Sequence, residues 1–338
     1  MAPVEQPWPS ISVVICCHNS GSRLPETLRH LAEQCTPAGL RWETLVIDNA
    51  STDNTASVVD QLAAQYPSLP LRLVGEPKLG TAYARQRGIA EALYEIVLFV
   101  DDDNWLAPNY LALVTETFRE HPEIDGLGGM STACCEGPEP SWLQRFERWY
   151  AVTGPARGKS MLSEDSFLWT AGTAFRRRTL DRIRDLGAPL LVSGRRGQSL
   201  DAGEDHELCY LIRLSGGKLY RHSGLHFRHY LPASRLTWDY LKRLHHGGGL
   251  VSVKLDAYRL SSTNSIWPQW ILQCWSAHLV NVCLQILVRR IALWCSPAVE
   301  GDPRVLNLEV YRGRLEALWT HRHRYRQMIA RAAAAANS

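Results

Sequence analysis

The run Ile96-Val97-Leu98-Phe99-Val100-Asp101-Asp102-Asp103-Asn104 constrains this chain most. Unbroken apolar residues rich in β-branched and aromatic side chains form a strand buried on both faces, as in a parallel sheet covered by helices. Three carboxylates follow where that strand leaves the core. Open α/β sheets bind their ligands beyond the carboxyl ends of the strands. Acidic groups this closely spaced repel one another unless solvent or a cation compensates. The run therefore predicts a strand end that meets a hard divalent ion bridging to a diphosphate.

The residues around this run predict a sheet to hold it. Ile11-Ser12-Val13-Val14-Ile15-Cys16 reads as a first buried strand ending in the turn Asn19-Ser20-Gly21, followed by a helix with Leu24, Leu28 and Leu31 on one face. Residues 42–47 are a second strand closed by Asp48-Asn49-Ala50-Ser51-Thr52-Asp53, where Ser51 or Thr52 caps a helix bearing Val58, Val59 and Leu62. Residues 71–74 are a third strand and residues 80–93 a third helix. Strands alternating with helices predict an α/β fold with a doubly wound, mostly parallel sheet. Right-handed crossovers then bring the loops at Cys17, Asp48 and Asp101 to one edge.

Later residues are less regular. Residues 126–130 read as a short strand entering an excursion over 131–166. Residues 168–175 return as a strand, 201–214 as a helix opened by Gly203-Glu204-Asp205, and 218–230 as a pair of strands. Helical character of a different kind begins at Leu236, so the expected organisation is a nucleotide-binding α/β domain over 9–234 and a helical extension over 235–338.

With 338 residues and 45% hydrophobic content, the chain can build a sizeable core. A formal net charge of +3 gives no reason to expect nucleic acid as a partner. The nine cysteines are scattered, without Cys-x-x-Cys, and Met1 to Ser10 shows no basic segment followed by an apolar one. Reduced thiols and a cytoplasmic location are the expectation.

In order along the chain, several blocks resemble family 2 glycosyltransferases. They are Val13-Val14-Ile15-Cys16-Cys17-His18-Asn19, Asp48-Asn49-Ala50-Ser51-Thr52-Asp53, Gly80-Thr81-Ala82-Tyr83-Ala84-Arg85, Asp101-Asp102-Asp103, Ala171-Gly172-Thr173 and Gly203-Glu204-Asp205-His206-Glu207. The resemblance covers roughly residues 11–230 and implies the GT-A fold, a nucleotide-diphosphate sugar donor and a Mn2+ or Mg2+ cofactor. By resemblance Asp48 hydrogen-bonds the base and Arg85 lies near the base or diphosphate. Asp101 or Asp102 meets the ribose or the ion's water shell, while Asp103 and His229 are the metal ligands. Where the family commonly carries a hydroxyl-bearing residue, this chain has Cys17-His18. His18 would then stack on or hydrogen-bond the base, leaving uridine, thymidine and guanosine open.

Inverting transfer needs a carboxylate to take the acceptor's proton. Asp205 is assigned that role, with Glu204 orienting the acceptor or the base. Arg87 reads as a surface cation, and His245, His246, His321 and His323 as solvated helix positions. Residues 266–288, rich in tryptophan and aliphatics and followed by Arg289-Arg290, predict either an interfacial helix at an anionic membrane or a helix packed on this chain or a second copy. The expected function is a metal-dependent inverting glycosyltransferase with a lipid-linked or polysaccharide acceptor at the inner membrane face. Its rivals are a nucleotidyltransferase and a non-catalytic sugar-nucleotide-binding scaffold.

Overall fold

The structure, a computed structural model, describes residues 7–154, 159–163, 166–185, 191–192, 194, 202–262 and 273–336. The chain divides into two compact units. The first comprises Met1–Cys134, Ala151–Arg182 and Gly217–Tyr230; the second comprises Cys135–Tyr150, Ile183–Gly216 and Leu231–Ser338.

The first unit opens as β1 (Ile11–Cys17), α1 (Leu24–Ala32), β2 (Trp42–Asn49), α2 (Thr55–Gln65), β3 (Leu71–Glu76), α3 (Thr81–Glu91) and β4 (Ile96–Asp101). β1 pairs in parallel with both β2 and β4, and β2 in parallel with β3. Alternation along β1 explains the double winding. Ile11, Val13 and Ile15 share one core with Leu24, Leu28 and Leu31 of α1 and with Val59 and Leu62 of α2. On the other face Val14 meets Gly88 of α3, where a Cβ would stand 2.4 Å from Val14 Cγ1. Burying each such aliphatic side chain contributes about 1.5–3 kcal/mol.

The sheet continues through β5 (Asn104–Leu106), β6 (Gly126–Cys135), β7 (Lys159–Met161), β8 (Thr173–Arg176) and β9 (Leu219–Leu231), with α4 (Tyr110–Glu120) between β5 and β6. Strand order is β3-β2-β1-β4-β8-β6-β9-β5, and β7 also pairs with β9. β8 pairs antiparallel with both β4 and β6, and β9 antiparallel with both β5 and β7.

Some local expectations are corrected. Residues 218–230 form one strand, not two. Its buried alternation runs through Tyr220 and His222, changes phase at Ser223–Gly224, and resumes at Leu225, Phe227 and His229, and that phase change is what the sequence pattern shows as a break. The strand expected over 168–175 is confined to Thr173–Arg176, and the one over 126–130 extends to Cys135. Neither Ser51 nor Thr52 caps α2. The helix opens after Asn54, and Asp53 Oδ1 accepts from Thr55 N at 3.0 Å.

The second unit holds α5 (Leu143–Phe146), the end of α6 (Arg177–Asp185) beyond Arg182, α7 (Glu204–Leu214), α8 (Trp238–Ser262), α9 (Trp275–Cys295), α10 (Pro303–His321) and α11 (Tyr325–Ala336). α8 runs unbroken through Gly247-Gly248-Gly249, although three glycines in succession read as a breaker. The reason is close approach. A Cβ on Gly249 would lie 2.1 Å from Val310 O, and one on Gly313 2.1 Å from His246 O. Small residues let the backbones of α8 and α10 touch, a tertiary gain that outweighs poor helix propensity. His245 is buried, contrary to expectation. Its ring stacks on Trp149 at 3.7 Å, its Nδ1 donates to Leu241 O at 2.8 Å, and burial lowers its pKa to about 4.

Candidate active site

Register brings the predicted loops together. Cys17 pairs with Asp48 across β1 and β2, and Cys16 with Asp101 across β1 and β4. The loops after β1 and β2 interlock. Asn19 N donates to Ser51 Oγ (2.9 Å), Thr52 N to Asn19 Oδ1 (2.8 Å), and Ser20 N to Thr55 Oγ1 (2.8 Å). Asn19 and Ala50 both take left-handed backbone, at φ 51° and 53°. Such conformations store strain and cluster at functional sites.

Asp48 stands at the end of β2, where its Oδ1 accepts from Ser51 N at 3.2 Å. His18 is oriented by a 2.8 Å bond between Nδ1 and Asn49 O. A carbonyl only accepts, so Nδ1 carries the proton and Nε2 is the acceptor of the neutral ring. Cys17 is buried, and desolvation together with the Asp102 charge holds its thiol well above its usual pKa. It is a neutral group at the strand end. Burial pushes the Cys16 thiol up to about 12; Arg85, on α3, opposes the rise while the Asp101 and Asp102 charges add to it.

The acidic triplet divides its labour. Asp101 N donates to Asn104 Oδ1 at 3.1 Å. Asp102 Oδ2 accepts from Arg23 Nη2 (2.6 Å), Arg23 Nε (3.2 Å) and the Ser20 hydroxyl, while Thr27 Oγ1 donates to Asp102 O (2.8 Å). Asp102 thus ties β4 to the start of α1 through an oxygen already committed to the chain itself. Burial raises its pKa, the neighbouring Asp103 charge adds to the rise, and Arg23 opposes both.

Asp103 faces the other way. It is 3% exposed, and its Oδ1 lies 3.4 Å from Nε2 of His229, itself 7% exposed. Pairing of β5 with β9 sets Asn104 opposite His229, and Tyr230 N donates to Asp103 O at 2.8 Å. The sheet therefore fixes this pair. Two donors each about 2.1 Å from a shared octahedral ion, at right angles, stand about 3 Å apart, so the Asp103–His229 separation fits a divalent cation. His229 Nδ1 is buried without a hydrogen-bond partner among the described residues. Among the described residues no group of three His, Cys, Asp or Glu side chains is arranged to hold a metal. A cation here would take further ligands from a diphosphate and water.

Glu204 and Asp205 open α7 in the second unit, as the sequence predicts. Glu204 Oε2 turns back to accept from Gly203 N at 2.9 Å. Asp205 is half-buried in the first turn, where the helix dipole favours a carboxylate.

Two structural residues escaped the sequence reading of roles. Asn49, 3% exposed, accepts from Gly80 N (2.7 Å) and donates to Lys78 O (2.6 Å) and Glu76 O (3.1 Å), pinning the start of α3, the helix that carries Arg85. Glu207, fully buried, accepts from Leu191 N (2.6 Å), Val192 N (3.0 Å) and Tyr258 Oη (2.6 Å), and burial raises its pKa. The signal for Asn49 was its place one residue beyond a predicted strand-end Asp. Nothing local distinguishes Glu207 from its acidic neighbours.

Residues 12–184, more than half of the chain, match the family model "Glycosyl transferase family 2". The chain belongs to that family. It is 26% identical over 220 residues to an N-acetylglucosaminyltransferase of Mesorhizobium japonicum, covering 63% of this chain and 50% of that protein. Over 94 residues it is 32% identical to a 4,4'-diaponeurosporenoate glycosyltransferase of Staphylococcus haemolyticus, covering 28% and 24%. The chain thus spans half or less of the length of these relatives.

Among solved structures it is similar to the mannosyltransferase PcManGT of Pyrobaculum calidifontis in complex with GDP-Man and Mn2+. That likeness has 21% identity and a TM-score of 0.55, covering 98% of this chain and 90% of that one. It is also similar to S. aureus TarS 1–349 in complex with UDP, at 17% identity and a TM-score of 0.51, covering 94% and 91%. These likenesses show the GT-A fold.

Proposed function

We propose that this chain is a metal-dependent, inverting glycosyltransferase moving a sugar from a nucleotide-diphosphate donor to a lipid-linked or polysaccharide acceptor, working in the cytoplasm at the inner membrane face. The observation that carries the reading is the meeting of Asp48, His18 and Asp101 at adjacent parallel strand ends, with Asp103 set against His229 beside them. In this reading Asp48 accepts from the base, His18 packs or hydrogen-bonds beside it through Nε2, and Arg85 neutralises phosphate charge. Asp103 and His229 would hold Mn2+ or Mg2+. When bound, the ion supplies Lewis-acid stabilisation of the leaving diphosphate. Asp101 meets the ribose or the ion's water shell; Asp102 keeps the loop in place through Arg23.

Asp205 takes the proton of the acceptor hydroxyl as its oxygen forms a bond to the anomeric carbon. The bond from that carbon to the diphosphate oxygen breaks, the nucleoside diphosphate leaves with the electron pair, and configuration inverts. Glu204, held by Gly203 N, orients the base or the acceptor.

The first experiment is a thermal-shift panel of nucleoside diphosphates and nucleotide sugars with Mn2+, with Mg2+ and with chelator. A ligand that binds only the folded state raises the melting temperature. A shift with one base that chelator removes supports the donor site; no shift from any of them in folded protein overturns it. Asp205→Asn should lower kcat by about 10²–10⁴-fold while leaving that donor shift intact. Full turnover by this variant would remove Asp205 from the mechanism.

A further inference from the structure

Helix α9 has two apolar faces and uses only one. Val282 is buried, and Trp275, Leu279 and Ile286 pack with it against the core of the second unit that includes Ala317, Leu318 and Tyr325. This sets the inward stripe. On the opposite side Val280, Leu284, Leu287, Val288, Ile291 and Trp294 follow at helical spacing, each between 51% and 85% exposed. At 100° per residue, this outward stripe spans about a third of the helix circumference. Its 21 residues are long and apolar enough to cross a membrane by length and composition alone. A helix packed along one side on its own unit, however, can give lipid only the other side. This geometry is that of a helix lying in the interface.

Charge at the ends of the stripe selects the occupant. At the first turn Trp275 contacts Trp319 (6.4 Å between rings) and His278 contacts Tyr325 (5.6 Å). Those contacts bring up the turn between α10 and α11 and the first residues of α11, where Arg324 and Arg326 are exposed and the Arg322 guanidinium lies 4.8 Å over Trp319. From residue 317 to 336 the chain carries Arg322, Arg324, Arg326 and Arg331 and no acidic side chain. Toward the other end Arg290 is exposed beside Leu287 and Trp294, whereas Arg289 is turned inward, 4.1 Å over Tyr311. Tryptophans and arginines flanking an exposed aliphatic stripe match the headgroup level of an anionic bilayer.

We infer that the outward face of α9, with Trp319 and the arginines after α10, is a monotopic docking surface for an anionic lipid bilayer. The sequence alone placed this property at residues 266–288, and offered the Arg-rich stretch Tyr311 to Arg331 as a solvated face or another lipid-facing surface. The structure moves the helix to Trp275–Cys295, takes Arg289 out of the lipid-facing set and sets Arg322, Arg324 and Arg326 near its first turn; residues 266–272 lie outside the described ones. The inference deepens the proposed membrane-side acceptor, but its test is read without any turnover.

The full chain is mixed with vesicles of phosphatidylcholine alone or with phosphatidylglycerol, and the bound fraction is measured by flotation. Binding should be at least about tenfold stronger with phosphatidylglycerol and should weaken as salt rises. Leu284→Glu with Ile291→Glu, and separately Arg322→Glu with Arg326→Glu, should each reduce it by about tenfold or more. If a variant melts early, the lipid and salt dependence of the unaltered chain decides. Failure of that chain to bind phosphatidylglycerol vesicles overturns the inference. A dimer in light scattering that Leu284→Glu with Ile291→Glu dissociates, without vesicle binding, assigns the face to a second copy instead. The metal-dependent donor shift should persist in every variant, which separates failure here from failure of the proposed transferase.

Discussion

Replacing Asn49 by Ala tests whether a structural side chain, and not the strand itself, sets the floor of the donor site. The amide makes three bonds: one accepted from Gly80 N and two donated to Lys78 O and Glu76 O. All are lost in Asn49→Ala, and at about 1 kcal/mol net for each the loss is about 3 kcal/mol, more if water cannot reach the orphaned groups. The residue is 3% exposed, so little relief from solvent is expected. Urea unfolding followed by far-UV circular dichroism reads the change as a lower midpoint at constant slope. Because Gly80 is the N-cap of α3, the donor KM should rise along with the loss of stability.

Asn49→Asp sharpens the test. Its carboxylate still accepts from Gly80 N but turns a second oxygen against two carbonyls. The folded pKa of that Asp rises above the unfolded value, so the variant is destabilised at neutral pH and recovers as pH falls through the folded pKa. A loss below about 1 kcal/mol in Asn49→Ala, at unchanged slope, would refute the reasoning.

In Gly249→Ala the added methyl meets a backbone oxygen at 2.1 Å. Overpacking of about 3 kcal/mol or more should exceed the roughly 1 kcal/mol gained in helix propensity, lowering the thermal midpoint. Ala50→Val places a β-branched residue at φ 53° and should cost about 1–3 kcal/mol, whereas Ala50→Gly should be close to neutral, both measured by urea unfolding. Burial raises the pKa of Glu207, so the fold binds an extra proton between the unfolded value and the raised one. Stability of the second unit should therefore fall as pH rises through that window, a slope that Glu207→Gln flattens in pH-resolved melting.

The sequence made the first half of the fold legible because its information is local. The apolar runs of β1, β2 and β4 and the helix faces between them each declare themselves within a few residues, and right-handed crossover aligns their ends. Asp103 with His229 was legible only through resemblance, since the pairing of β5 with β9 spans more than a hundred residues. What escaped depends on distant partners. Gly247-Gly248-Gly249 reads as a break until α10 is seen to need the space, and His245 reads as solvated until Trp149 covers it. Asn49 and Glu207 differ from neighbouring polar residues only in what the folded chain brings to them.

The pairing of Asn104 with His229 has a consequence for how such a chain can change over time. Successive residues of β9 point to opposite faces, so removing or adding one residue between Gly224 and His229 would turn Arg228 or Tyr230 toward Asp103. Arg228 there would put a fixed positive charge where the site offers an imidazole. Length variation ahead of Leu219 carries no such consequence. Lineages of this chain are therefore expected to lengthen and shorten the segments before β9 freely, while the interval from the phase change at Gly224 to His229 keeps its residue count.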